Sequence, residues 1–380
     1  MMKMSEDFLS SMQEAMHLLR TAGPLEATAA IQRALRDADE RRGPAAPQPP
    51  TDASGAAHFR NGTFDGNRSA RARATDASLH RHVVKEADVE DSGHFSERTY
   101  VNEAGTRNYK LYVPTGYRDA PLPLIVMLHG CTQDADDFAA GTRMNAFAER
   151  HDCLVAYPVQ PKRANSSGCW NWFRPGDQQR ERGEPSLIAG ITRDVMASYS
   201  VDPTRVYVAG LSAGGAMAAV MIHTYPDLYA AAGIHSGLPY RCAQDLPSAL
   251  AAMKGGKPAR RGRLADGNDG PTVPKRPLIV FHGDADATVH PSNGSELVRE
   301  FSAGKSPVDE AVERHAGGRA YTRRRLTASN GVDAEYWIIH GAPHAWASGS
   351  VRGTYTDAGG PDSSAEMVRF FLAHPRQGEV

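Results

Sequence analysis

The chain has 380 residues, with 43 Lys+Arg against 44 Asp+Glu and a formal net charge of -1. That length supports one large domain or two ordinary ones, and the charge balance excludes a nucleic-acid binder that works through bulk charge. Four cysteines exclude a disulfide scaffold, and no run approaches the roughly 18 apolar residues of a membrane span.

Residues 1–42 carry helical periodicity. Phe8, Leu9, Met12, Met16 and Leu19 recur on one face, Gly23-Pro24 interrupts, and Leu25, Ala29, Ile31, Ala34 and Leu35 resume the pattern. The segment reads as a hairpin docked on its own chain or as an oligomerisation or surface-binding element. Glu6, Asp7, Gln13, Glu14 and His17 break the apolar run that a signal peptide needs, so the expected location is cytoplasmic. Residues 43–96 have no apolar periodicity and read as a flexible linker. His80, His82 and His94 fall there without companions at metal-ligand spacing.

Residues 97–375 read as an α/β catalytic domain. Strands are predicted at Tyr109–Val113, Leu122–Leu128, Cys153–Tyr157, Arg205–Ala209, Leu228–His235, Leu278–Phe281 and Tyr336–Ile339. Helices are predicted at Asp136–His151, Ser186–Ser200, Ala213–Tyr225 and Ser363–Ala373. Continuous apolar runs such as LPLIVML suit strands buried on both faces, and strand–helix alternation implies a mostly parallel sheet with helices on both faces. Residues 255–275 and 303–320 are rich in glycine and charge and read as surface insertions.

Gly210-Leu211-Ser212-Ala213-Gly214 matches the G-x-S-x-G nucleophile elbow, with RVYVA before it as a strand and AMAAVMIHTY after it as a helix. The base must then be a later histidine. His344 follows the YWIIHG strand in a short loop, where an imidazole reaches over the sheet edge. The acid belongs after PLIVFHG, where Asp284 and Asp286 compete. The frame G-x-x-D-x-x-V, with Gly283 and Val289 in register, selects Asp286, and Asp284 is expected to bond its own loop. An oxyanion hole needs two backbone N–H groups. Ala213, after the nucleophile, and Cys131, after His129-Gly130, are the candidates. Trp170, Trp172 and Phe173 form an aromatic cluster that reads either as an apolar substrate-binding surface or as a buried mini-core. Cys131 and Cys169 are candidates to pair, and sequence leaves that connectivity open. No zinc, P-loop or dinucleotide motif competes, so neither cofactor nor metal is expected.

Taken together, LHGCTQDADDFAAGTRMNAFAERHDCLVAYPVQ, CWNWF, GLSAGGAMA, HGDADATVHPSNG and GAPHAW resemble the polyhydroxybutyrate depolymerase family of esterases over about residues 97–373. The resemblance implies an α/β-hydrolase fold, with Ser212 as nucleophile, Asp286 as acid and His344 as base. It implies poly- or oligo-(3-hydroxyalkanoate) substrates, with feruloyl or acetyl esters as the alternative. A granule-binding protein on an inactive hydrolase scaffold is the non-enzyme alternative, against which the intact Ser–Asp–His order speaks. Many family members are secreted, whereas this chain, with its N-terminal extension, is similar to intracellular members proposed to act at polymer granules. Residues 1–42 would then contact the granule surface.

Overall fold

The computed structural model of the protein describes residues 92–255, 276–302, 309–314, 318–327 and 333–376. The predicted helical segment 1–42 and nearly all of the linker lie outside the described residues, as do most of the two insertions.

Among the described residues, ten strands form one sheet. In chain order they are β1 (His94–Asn102), β2 (Gly105–Val113), β3 (Leu122–Leu128), β4 (Leu154–Pro158), β5 (Val201–Leu211), β6 (Ala231–His235), β7 (Leu278–Gly283), β8 (Asp309–Arg314), β9 (Ala320–Thr327) and β10 (Asp333–Ile339). Their spatial order is β1-β2-β4-β3-β5-β6-β7-β10-β9-β8. The six central strands, from β4 to β10, run parallel, and antiparallel pairs close both edges.

The helices are α1 (Ala135–Thr142), α2 (Met144–Arg150), α3 (Gly183–Ser198), α4 (Ala213–Thr224), α5 (Leu246–Met253), α6 (Ser292–Ser302) and α7 (Ser363–Ala373). Alternation along β3 explains how they are sorted. Leu124, Val126 and Leu128 pack in one core with Ile188 of α3 and Met217 of α4. Ile125 and Met127 point the other way, toward Phe138, Phe147 and Phe370 of α1, α2 and α7. A strand sandwiched in this way has no polar face, which is why LPLIVML is apolar throughout. None of the described helices is long and apolar enough to cross a membrane.

Several boundaries differ from the sequence reading. The single helix expected over 136–151 is broken at Arg143, which is left-handed at φ 55° and ψ 23°. Its guanidinium bonds the Asp362 carboxylate at the start of α7, 2.7 Å away, so a tertiary contact favours a backbone state that L-residues rarely adopt. The strand read at Leu228–His235 starts only at Ala231, after a turn closed by Leu228 N–H to Tyr225 O. The assigned linker ends too late, because His94 and Phe95 already pair in β1. The second insertion contributes β8 and the start of β9, where Asp309 and Glu310 face Arg325 and Arg324 across the ladder and Glu313 pairs diagonally with Arg323.

The chain returns from β4 to β5 on the far side of β3, so the strand order reverses between β3 and β5. In open parallel sheets the crevice beyond the C-terminal ends of strands at such a reversal is the usual ligand site.

Candidate active site

Ser212 sits at that reversal. It joins β5 to α4 with φ 57° and ψ -119°, a strained backbone for a non-glycine residue. The flanking glycines make the turn feasible. A β-carbon on Gly214 would stand 1.9 Å from the Leu128 carbonyl oxygen, and one on Gly210 would stand 2.4 Å from the Gly214 carbonyl. The Ser212 N–H is held by the His235 carbonyl at 2.9 Å.

The two competing aspartates bond different histidines. Asp286 is buried. Its Oδ1 accepts from the Thr288 and Val289 N–H groups at 2.9 and 2.8 Å, and its Oδ2 accepts from His344 Nδ1 at 2.7 Å. Burial alone would raise its pKa. The charge that His344 can carry, with its hydrogen bond to the carboxylate and the His282 ring 3.4 Å away, outweighs burial and holds the carboxyl well below the usual carboxylate range. Because the carboxylate can only accept, His344 carries its proton on Nδ1, and Nε2 is left as a lone-pair acceptor. Asp284 is half exposed. It accepts from His340 Nδ1 at 2.8 Å and from the Gly341 N–H at 2.6 Å, fastening the root of the loop that bears His344.

His235 joins the serine and histidine loops, a role that sequence reasoning missed. Its carbonyl takes the Ser212 N–H, and its ring Nε2 takes the Ala347 N–H at 3.1 Å. The ring stacks between Phe281 and Trp346. Burial first, then the neighbouring His282 and His344, push its pKa down to about 3. The unfolded imidazole takes its proton near 6.5, so between about 6.5 and 3 the unfolded chain binds more protons and stability falls as the pH drops. The expected result is a melting temperature that declines through this window, and declines less steeply in His235→Gln, read by thermal unfolding at a series of pH values.

The loop after β3 lies against Ser212. A β-carbon on Gly130 would be 3.7 Å from Ser212 Cβ. Gly130 N–H donates to Gln133 Oε1 at 2.9 Å and Thr132 N–H to Ser167 O at 2.7 Å. Between them, the Cys131 N–H has no protein acceptor among the described residues. The Ala213 N–H, first in α4, lacks an intrahelical partner by position. These are the two donors selected from sequence, and they lie on the two loops that meet at Ser212.

Buried polar groups hold that loop. His129 donates from Nδ1 to Gly130 O at 2.8 Å and accepts the Gln160 N–H on Nε2 at 3.1 Å. Gln160 and Asn171 both donate to the buried Glu184. Burial and the Asp177 carboxylate push Glu184 up to about 7, against the N–H groups that favour its charged form. The bonds from Gln160 to His129 and from Gln160 and Asn171 to Glu184 span more than ten positions, so nothing in the local sequence marked them.

The aromatic cluster is placed differently from the surface expected of it. Trp170 is fully buried and donates Nε1–H to the His129 carbonyl at 3.1 Å, and Trp172 is also in the core. Both therefore brace the loop from inside, and only Phe173 is part-exposed. An aromatic beside the loop that was not anticipated is Tyr355, 45% exposed, whose hydroxyl meets Thr132 Oγ1 at 3.1 Å.

Cys131 and Cys169 form a disulfide with Cα atoms 4.2 Å apart. It ties the candidate oxyanion donor to the segment carrying Trp170. Reduction is expected to lower kcat by about 10–100-fold, less than the 10²–10³ typical of a donor removed outright, because His129 and Trp170 still hold the loop. Assay with and without dithiothreitol measures this. Cys131→Ser with Cys169→Ser should show the same loss and no further response to the reductant, since Cys153 and Cys242 are buried.

Residues 107–324 match the family described as Esterase PHB depolymerase. Poly(3-hydroxyalkanoate) depolymerase C of Paucimonas lemoignei is 42% identical over 212 residues, covering 54% of this chain and 51% of that protein. Feruloyl esterase B of Neurospora crassa is 31% identical over 211 residues, covering 53% of this chain and 70% of that protein. The acetyl xylan esterase from Aspergillus awamori superposes with a TM-score of 0.56 at 19% identity, over 73% of this chain and 99% of that one, which shows the shared α/β-hydrolase fold. The chain spans about half the length of the depolymerase it matches. With more than half of its residues matched by the family, the chain belongs to the PHB depolymerase family of esterases.

Proposed function

We propose that the protein is a serine-dependent carboxylic ester hydrolase acting on poly- or oligo-(3-hydroxybutyrate). The observation that carries this reading is the His344 Nδ1–Asp286 bond of 2.7 Å, which leaves Nε2 unprotonated, in a chain whose serine stands on a strained strand-to-helix elbow. Ser212 Oγ attacks the ester carbonyl while His344 Nε2 takes its proton. The oxyanion is met by the Cys131 and Ala213 N–H groups, and the imidazolium returns the proton to the departing alkoxide, leaving an acyl-enzyme. Water then gives its proton to His344, attacks the acyl carbon and releases the acid with Ser212 restored.

The higher identity to the depolymerase supports the polyester substrate. The 31% identity to a feruloyl esterase supports aryl or acetyl esters as the second reading. Hydrolysis of amorphous polymer granules, of a feruloyl ester and of a short p-nitrophenyl ester, measured side by side, separates them. Turnover of the small esters with none on granules would overturn the polyester reading. Failure of a fluorophosphonate to label wild type would overturn the esterase reading itself.

Residues 1–42 are proposed to hold the enzyme at the polymer surface, because their apolar face is joined to the catalytic domain by a long polar stretch. Deleting residues 1–91 spares β1 and should leave turnover of a short soluble ester within a few-fold. The same deletion should move the protein from granule pellet to supernatant in co-sedimentation. Equal sedimentation of the truncated and full chains would place the polymer contact on the catalytic domain, with Phe173 and Tyr355 as the next residues to test. The disulfide bears on location: such bonds persist in oxidising surroundings, which speaks against the cytoplasmic placement read from the first 20 residues.

A further inference from the structure

Behind the catalytic acid lies a second histidine that the reaction scheme does not use. His282, near the end of β7, is fully buried. Its Nε2 is 2.8 Å from the Val289 carbonyl oxygen and 3.4 Å from Asp286 Oδ2. Both oxygens can only accept, so Nε2 carries the proton. The other ring nitrogen, Nδ1, is buried with no hydrogen-bond partner among the described residues, and α6 approaches it so closely that a β-carbon on Gly294 would be 3.0 Å away. A side chain whose only task was to bond Val289 O would not need a ring with an orphaned buried nitrogen, which carries a desolvation cost. The ring's reach to both the carbonyl and the carboxylate is what distinguishes it.

We propose that His282 is a positioning residue for Asp286, donating toward the same carboxylate oxygen that His344 uses and so setting how strongly the acid stabilises a charged His344. This rests on the Ser212–His344–Asp286 reading above. With two backbone N–H groups on Oδ1 and two imidazoles at Oδ2, Asp286 is fixed in orientation from both sides. The titratable groups around His282 are Asp286 and His344 on the loops above it, His235 from β6, and Tyr336 from β10, whose hydroxyl borders the same Gly294. Of these, Asp286 alone is a carboxylate facing the Nε2–H.

The sign follows from the shared oxygen. The His282 donor draws on Oδ2 and weakens it as an acceptor for His344. Removing that donor strengthens the His344–Asp286 interaction, favours the imidazolium and moves the acid limb of the kcat/KM profile to higher pH, by about half a unit for a neutral donor at this range. The acid also loses one of its restraints, so kcat should fall about 10-fold with KM little changed. His282→Phe keeps a buried ring and removes the donor. His282→Gln retains a donor and should restore most of the rate and bring the acid limb back.

The experiment measures pH–rate profiles of the full chain and both variants on a short p-nitrophenyl ester, together with ¹⁵N-imidazole NMR of wild type and Asp286→Asn. The supporting result is an upward-shifted acid limb in the Phe variant, reversal in the Gln variant, and a wild-type Nε2–H tautomer whose resonance moves in Asp286→Asn. An unmoved acid limb in a folded Phe variant overturns the proposal, as does an Nδ1–H tautomer or an Nε2–H resonance indifferent to Asp286. If the Phe variant does not fold, the NMR comparison decides. That comparison does not depend on turnover, so a failed esterase reading would appear separately, as a wild type that hydrolyses no ester and takes no fluorophosphonate label.

Discussion

Ser212→Ala is expected to lower kcat on any ester by roughly 10⁵–10⁶-fold with little change in KM, because the proposed nucleophile is lost while the rest of the site is retained. The fold should survive. The Ser212 side chain makes no cap to α4, and the strained elbow is held by its backbone bond to His235 and by the close packing of Gly210 and Gly214 on Leu128. Single-turnover assay with a p-nitrophenyl ester checks the loss, and an unchanged circular dichroism spectrum and melting temperature check the fold. A variant that keeps more than about a hundredth of the rate would be incompatible with a covalent acyl-enzyme at this residue.

Asp286→Asn is expected to be the most damaging change that leaves the nucleophile in place, lowering kcat by about 10⁴-fold, or about 5 kcal/mol of transition-state stabilisation. The amide presents an N–H where the carboxylate accepted the His344 proton, so the imidazole is driven to the other tautomer and Nε2 no longer serves as base. The Thr288 and Val289 N–H groups still need an acceptor, and the amide oxygen meets them, so the exchange is close to isosteric. Asp284→Asn is the internal control. Its partners are His340 and the Gly341 N–H at a half-exposed position, where one amide oxygen replaces much of what is lost. Its effect should be within a few-fold in kcat. Steady-state kinetics of the two variants therefore ranks the aspartates. The reverse ranking would mean that His340, not His344, is the base.

The candidate site residues were the legible part of the chain. Gly210, Ser212 and Gly214 announce themselves because the turn they build is a local steric demand, met within five residues. The central strands were legible because burial on both faces leaves no polar position in a run such as Leu122–Leu128. The choice of Asp286 over Asp284 followed from the frame Gly283–Val289, whose physical basis is visible in the Val289 N–H bond to Asp286 Oδ1.

The sequence by itself therefore determined the α/β layering, the family and the identity of the candidate nucleophile, base and acid, since each depends on apolar runs or on turns that are local in the chain. Tertiary structure decided the rest. β1 carries intermediate and exposed residues in alternation, and β8 is short and charged, so neither shows a strong local pattern until a neighbour covers one face. Arg143, where a helix breaks, bonds Asp362, more than two hundred residues away. Trp170 reads equally well as a surface or a core residue. Only the His129 carbonyl, brought to its indole N–H by the crossing of β3 and the following loop, settles it in the core. The two buried histidines, His235 and His282, follow the same rule. A histidine's role is set by which acceptors and donors face its two nitrogens, and here those groups come from Ala347, Val289 and Asp286, through contacts that chain folding creates and residue order does not encode locally.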